Sequence, residues 1–158
     1  MGQIRIVWGI GNASTEKASY DAALAAANVH NYNLVSVSSV IPSDAALEVI
    51  GTAPDLGTVG DRLTVVQSRK TVKSGETAAA GIGWARSKSG RGIFYESTGD
   101  TENTVRERIK TGLTAGKDHR DWEFLSDGDE VVAEADPDVD NYATAVVLAI
   151  YGRSSPIM

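Results

Sequence analysis

Residues 33–42 run Asn33-Leu34-Val35-Ser36-Val37-Ser38-Ser39-Val40-Ile41-Pro42, and the rest of the chain reads outward from them. The alternation predicts a strand over Asn33 to Ser38, with Asn33, Val35 and Val37 on one face and Leu34, Ser36 and Ser38 on the other. Pro42 has no N–H for a ladder and biases Ile41 toward extended backbone, so the strand must stop. Polar side chains on both faces do not suit a simple half-buried strand. They suit one that reaches a site at its end. The serine pair leaves two readings open. Hydroxyls at a strand end can bond the local backbone. A Ser39 hydroxyl beside the Ser38 carbonyl can instead attack it and exchange the amide for an ester.

On the N-terminal side, Gln3 to Trp8 predicts a first strand, with Ile4, Ile6 and Trp8 alternating with Arg5 and Val7. Gly9-Ile10-Gly11-Asn12 reads as a turn, because the third glycine of a dinucleotide loop is missing. Ser14 is the expected N-cap of a helix over Thr15 to Ala27. Tyr20, Ala23, Leu24 and Ala27 share one face of it, and Asp21 lies next to that face.

On the C-terminal side, Pro54 and Gly57 predict a loop over Ser43 to Leu56 with at most a short helical turn. Strands are expected over Arg62–Ser68, Ala78–Arg86, Arg91–Glu96, Trp122–Leu125, Glu130–Ala135 and Tyr142–Tyr151. The last is almost wholly apolar, which predicts a central strand covered on both faces. Arg69, Lys70 and Lys73 read as a solvated edge, and Gly81 and Gly83 as close packing or a bulge. A second helix is expected over Thr101 to Ala115, capped by Asp100, with Val105, Ile109 and Leu113 inward and Gly116 ending it. Gly152 to Met158 reads as a frayed tail. Two helices and seven or eight strands make the class α+β.

The 158 residues suit one domain with a sizeable core. Asp and Glu number 21 against 15 Lys and Arg, a net charge of −6, which argues against a nucleic-acid partner. The acidic residues are densest from Asp127 to Asp140. This balance fits a protein of a high-salt cytoplasm and an ordinary acidic protein equally well. There is no cysteine, hence no disulfide, thiol nucleophile or cysteine metal site. His30 and His119 are far apart, which argues against a metal centre and leaves a Ser-His-Asp triad few candidates. Met1 to Trp8 carries no signal-peptide pattern and no apolar run is long enough for a bilayer span. The expectation is a cytoplasmic protein without a membrane partner.

Five segments, in this order and spacing, carry a resemblance: Tyr20-Asp21-Ala22-Ala23-Leu24, Asn33 to Pro42, Gly75-Glu76-Thr77, Gly92 to Gly99 with Glu96 inside, and Arg120-Asp121-Trp122-Glu123. The chain resembles the pyruvoyl-dependent arginine decarboxylases of the archaeal type from Ile4 to about Tyr151. The resemblance implies a single-domain four-layer α-β-β-α sandwich, assembled as a homotrimer with active sites between subunits. It implies self-cleavage between Ser38 and Ser39, giving a short chain 1–38 and a long chain 39–158 that begins with a pyruvoyl group derived from Ser39. The substrate would be L-arginine, bound through a Schiff base and released as agmatine, a supply for polyamine synthesis.

The resemblance also assigns roles. Ser38 supplies the attacked carbonyl. Glu96 falls on the catalytic glutamate and would return a proton to the α-carbon, which needs a protonated carboxyl. Asn33 matches the active-site asparagine, an amide that can polarise the Ser38 peptide or hold the substrate carboxylate. Asp21 matches the aspartate that reads the guanidinium with two parallel hydrogen bonds, and Leu24 would line the methylene stem. No metal is implied. Ser36, where a related enzyme has a basic residue, and Ser97-Thr98, in place of an aromatic and an acidic residue, depart from the pattern and bear on substrate range. Two other functions compete: a non-catalytic trimeric protein of this fold binding guanidinium ligands, and the same chemistry on another amino acid.

Overall fold

The computed structural model describes residues 2–126 and 128–158. Met1 and Asp127, which begin the signal-peptide window and the acidic run, lie outside the described residues. Nine strands form two sheets. Strands β1 (Gly2–Ala13), β2 (Asn33–Ser36), β4 (Ala45–Gly51), β5 (Arg62–Lys73) and β9 (Tyr142–Tyr151) make a five-stranded sheet in the order β2-β5-β9-β1-β4. Strands β3 (Val40–Ile41), β6 (Ala78–Arg86), β7 (Gly92–Gly99) and β8 (Asp129–Ala135) make the other, in the order β3-β7-β6-β8. Helix α1 (Glu16–Ala26) covers the first sheet and α2 (Glu102–Asp118) covers the second.

Three apolar clusters fill the gaps of this α+β domain, as a sandwich of four layers requires. Ile4, Ile6, Val66 and Val147 of the five-stranded sheet meet Ala80, Ile82, Trp84 and Phe94 of the other. Val7, Val65 and Leu148 meet Ala23 and Leu24 of α1. Ala79, Ala85 and Ile93 meet Val105, Ile109 and Leu113 of α2. Strand β9 is central, and its eight inner residues are buried on both faces as expected.

Several expectations are corrected. Gly9 to Asn12 is not a turn: β1 continues through it and pairs with β9 as far as Ala13. A Cβ on Gly11 would stand 2.5 Å from the Ser19 carbonyl oxygen, so the glycines let α1 lie directly on the strand. Gly81 and Gly83 do the same for α2, the close packing expected of them. Ala45 to Gly51 is a strand parallel to β1, not a loop; Ala45 and Leu47 point into the core and edge position leaves Glu48 and Val49 outside. β5 runs on through the basic cluster to Lys73, and beyond Val65 no strand among the described residues pairs its outer side.

The caps sit one residue from their expected places. Thr15 rather than Ser14 caps α1, and Thr101 rather than Asp100 caps α2. Helix α2 passes through Gly116 and is closed at His119, because Gly112 and Gly116 face Tyr95 and Ile93, where a Cβ would not fit. Trp122 to Leu125 makes only one bridge, Ser87 to Phe124. The segment after Gly152 is pinned where Ser155 pairs with Arg62 and Ser154 bonds Leu56 and Asp61. No helix among the described residues is long and apolar enough to cross a membrane.

Candidate active site

Strand β2 ends at Ser36 in one sheet and β3 begins at Val40 in the other, so the Ser38–Ser39 bond is the crossing between them. The expected strand to Ser38 is therefore cut short. Val37 N–H still bonds the Val65 carbonyl (3.0 Å), holding the near side. On the far side, Phe94 N–H donates to the Ser39 carbonyl (2.9 Å). Between them Val40 N–H donates to the Ser38 carbonyl (2.8 Å), closing a three-residue turn centred on Ser39. The carbonyl that would be attacked thus already accepts a backbone donor, which polarises it and would stabilise negative charge on its oxygen.

Ser39 Oγ donates to Glu96 Oε1 at 2.5 Å. Glu96 was expected to end its strand. Instead β7 carries it mid-strand, paired with Ile82, and runs on to Gly99. Its neighbours Phe94 and Tyr95 point to opposite faces: Phe94 into the inter-sheet core, Tyr95 onto Gly112 of α2. A carboxylate bonded to a hydroxyl can take its proton as the oxygen attacks, and a carboxyl there can return one. The pair opens on a cleft of about 500 Å³ between β3, β7 and the C-terminal half of α2. Ser38, Ser39, Tyr95, Glu96, His119 and Arg120 border it.

The other three residues assigned by resemblance are elsewhere in this chain. Asn33 donates through Nδ2 to the Gly60 carbonyl (2.8 Å), not to Ser38. Asp21 is exposed on α1, on the far side of the five-stranded sheet. Leu24 is buried beneath it in the helix–sheet core. None of the three lines the cleft. One chain brings together Ser38, Ser39 and Glu96 and leaves Asn33, Asp21 and Leu24 outside.

Sequence reasoning gave no role to three residues here. His119 closes α2 and is exposed at the cleft rim, a location the sequence did not show. Arg120 stood in a motif without a task; its Nη1 donates to the Gly116 carbonyl (2.9 Å) and its guanidinium lies over the Trp122 ring. Tyr151 ends β9 and donates to the Val40 carbonyl (2.7 Å). Burial, and secondarily the negative charge of Glu96, pushes its phenol up to about 12. A signal that could have found Tyr151 is a phenol closing an apolar strand, since such a group needs a partner when buried. No cluster of three or more metal-ligating side chains occurs among the described residues.

The family model described as pyruvoyl-dependent arginine decarboxylase matches residues 3–156. A protein of that name from Halobacterium salinarum is 49% identical over 161 residues, covering 99% of this chain and 98% of its own. One from Methanococcus vannielii is 31% identical over 155 residues, covering 92% and 87%. One from Methanopyrus kandleri is 29% identical over 147 residues, covering 92% and 93%. With the match spanning nearly every residue and both partners of the serine–glutamate pair inside it, the chain belongs to the pyruvoyl-dependent arginine decarboxylase family.

Proposed function

We propose that this protein decarboxylates L-arginine to agmatine and carbon dioxide, using a pyruvoyl group made from its own Ser39. The observation that carries the reading is the Ser39–Glu96 hydrogen bond at the crossing between the sheets. The residues fit a group made in place. The chain is held on both sides of the Ser38–Ser39 bond, by β2 and Val37 on one side and β3 on the other, so a cut there leaves both ends anchored. A pyruvoyl carbonyl supplies the electron sink for decarboxylation that ordinary side chains lack.

Ser39 Oγ attacks the Ser38 carbonyl carbon while Glu96 accepts its proton, and the amide nitrogen leaves with a proton to give an ester. Loss of the Ser39 α-proton expels Ser38 as a free carboxylate. One water then replaces the freed nitrogen, which departs as ammonia. Val40 N–H steadies the oxygen of the carbonyl under attack. In the later reaction Glu96, in its protonated form, donates to the substrate α-carbon. Asp21 accepts the guanidinium, Leu24 lies along the methylenes and Asn33 contacts the reacting end. These three come from a neighbouring copy, which their absence from the cleft supports.

A homotrimer of cleaved chains answers this need. Support comes from exposed Val35, Val37 and Val40 around the crossing and exposed Trp8, Ile10 and Val49 on β1 and β4 toward the other edge. The cytoplasm is the expected compartment. The deciding experiment is an intact-mass measurement under denaturing conditions. It should find a short piece ending at Ser38 and a long piece lacking a free amine at residue 39, and Ser39→Ala should stay a single inactive chain. An active preparation made of one uncut chain refutes the mechanism. Carbon dioxide released faster from ornithine, lysine or aspartate than from arginine refutes the substrate.

A further inference from the structure

We propose that Tyr151 is a positioning residue that holds the chain end created at Ser39 in register with Glu96; this rests on the self-cleavage reading above. Strand β3 is two residues long and pairs only Val40 with Ile93 and Ile41 with Gly92. So short a strand, joined on one side only, anchors the new chain end weakly by itself once the peptide bond before it is gone. The Val40 N–H to Ser38 bond then leads to a separate chain. Two hydrogen bonds still reach residues 39 and 40 from the body of the protein: Phe94 N–H to the Ser39 carbonyl, and the Tyr151 hydroxyl to the Val40 carbonyl.

Tyr151 is built for the task. Its backbone pairs with Ile4 at the end of β9, in the sheet that β3 does not belong to, so its hydroxyl ties one sheet to the other. Its ring stands edge-on to Phe94, at 6.3 Å between centroids and 71° between planes, and Phe94 stands edge-on to Trp84 in turn. The aromatic row fixes the phenol direction and also the residue whose N–H makes the second tie. With its ionisation pushed up to about 12, the hydroxyl keeps its proton and stays a donor. Tyr151 does not itself line the cleft but contacts two residues that do, Val40 and Phe94, so its effect is on placement.

Tyr151→Phe keeps the ring and removes the tie. Loss of one hydrogen bond of this kind predicts self-cleavage slowed about 3- to 10-fold. It predicts a kcat for arginine lower by a similar factor, with KM within about twofold, because substrate contacts are untouched. Hydrogen exchange of the Val40 and Ile41 amides should speed up in the cleaved variant while β9 stays as slow as before. Cleavage, kcat and exchange all equal to the unaltered protein overturn the proposal. Exchange in the unaltered cleaved protein provides a test independent of the variant. The Val40 and Ile41 amides should be protected, and exchange there at the rate of free peptide also overturns it. If the unaltered chain never cleaves, it is the pyruvoyl reading that falls.

Discussion

Two glycine pairs with one spacing, Gly9-Ile10-Gly11 in β1 and Gly81-Ile82-Gly83 in β6, carry the two helices. In each, the glycines face a helix and the isoleucine neighbours face away. The two layers then diverge. Over Gly11, the α1 backbone itself comes within van der Waals range, at Ser19 and Ala23. Over Gly83 the nearest atoms are side-chain methyls of Ile109 and Leu113 on α2. Helix α1 makes no ion pair among the described residues, whereas Arg106 of α2 reaches Glu102 and Glu130. The α1 layer is held by close backbone approach, the α2 layer by larger side chains and charge. The proposed roles divide along the same line: Ser39 and Glu96 belong to the α2 half, Asp21 and Leu24 to the α1 half.

The sharpest way to break this division is kinetic. Glu96→Gln should lower kcat for arginine about 10²- to 10⁴-fold, the usual worth of a positioned proton donor. Asp21→Asn should instead raise KM for arginine about 10- to 100-fold with a smaller change in kcat, as expected for a lost charged hydrogen bond to the guanidinium. Steady-state release of carbon dioxide measures both. A kcat collapse for Asp21→Asn with KM unchanged would place Asp21 in the chemistry and erase the distinction between the halves.

The glycines give the next largest effect. In Gly11→Ala the new methyl meets helix backbone, which cannot rotate away, and the cost should be about 3 kcal/mol. In Gly83→Ala it meets Ile109 Cγ2, a buried branch methyl that gives way only by a shift of its side chain or helix, and about 2 kcal/mol is expected. Denaturant midpoints at equal slope compare them. Equal costs would mean that both helices ride on their sheets in the same way.

The same glycines show what was legible. Gly81-Ile82-Gly83 sits inside an unbroken small-residue strand, so close packing was readable. Gly9-Ile10-Gly11 is followed by Asn12 and a helix cap, and local chemistry looks like a turn. Only the pairing with β9, more than 130 residues away in sequence register from Gly9 to Val146, keeps it a strand. Strand β9 itself was legible because burial on both faces leaves an unbroken apolar run. Strand β4 was not, because a parallel edge strand makes weak alternation and its partner β1 is distant in the chain. Within the site, Ser39 and Glu96 were legible only through the order of motifs, since each alone has an ordinary structural reading. Tyr151 was hidden because its role is one hydrogen bond across 111 residues.

Of the contacts that join the halves, one should matter least. Lys70 of β5 lies 2.9 Å from Asp100, just before α2, and both the hydrogen bond and the charge of Lys70 hold the Asp100 carboxyl below its ordinary range. A depressed carboxylate contributes stability that is present above the unfolded value near 3.9 and is lost as pH falls through the lower folded value. Asp100 is exposed, so solvent screens the pair. Asp100→Asn should lower the thermal midpoint slightly at neutral pH in low salt. The difference should shrink below about pH 4 and vanish near 1 M salt, where the screening length is about 3 Å. A difference that survives both conditions would mean that the halves are joined at this point by packing rather than by charge.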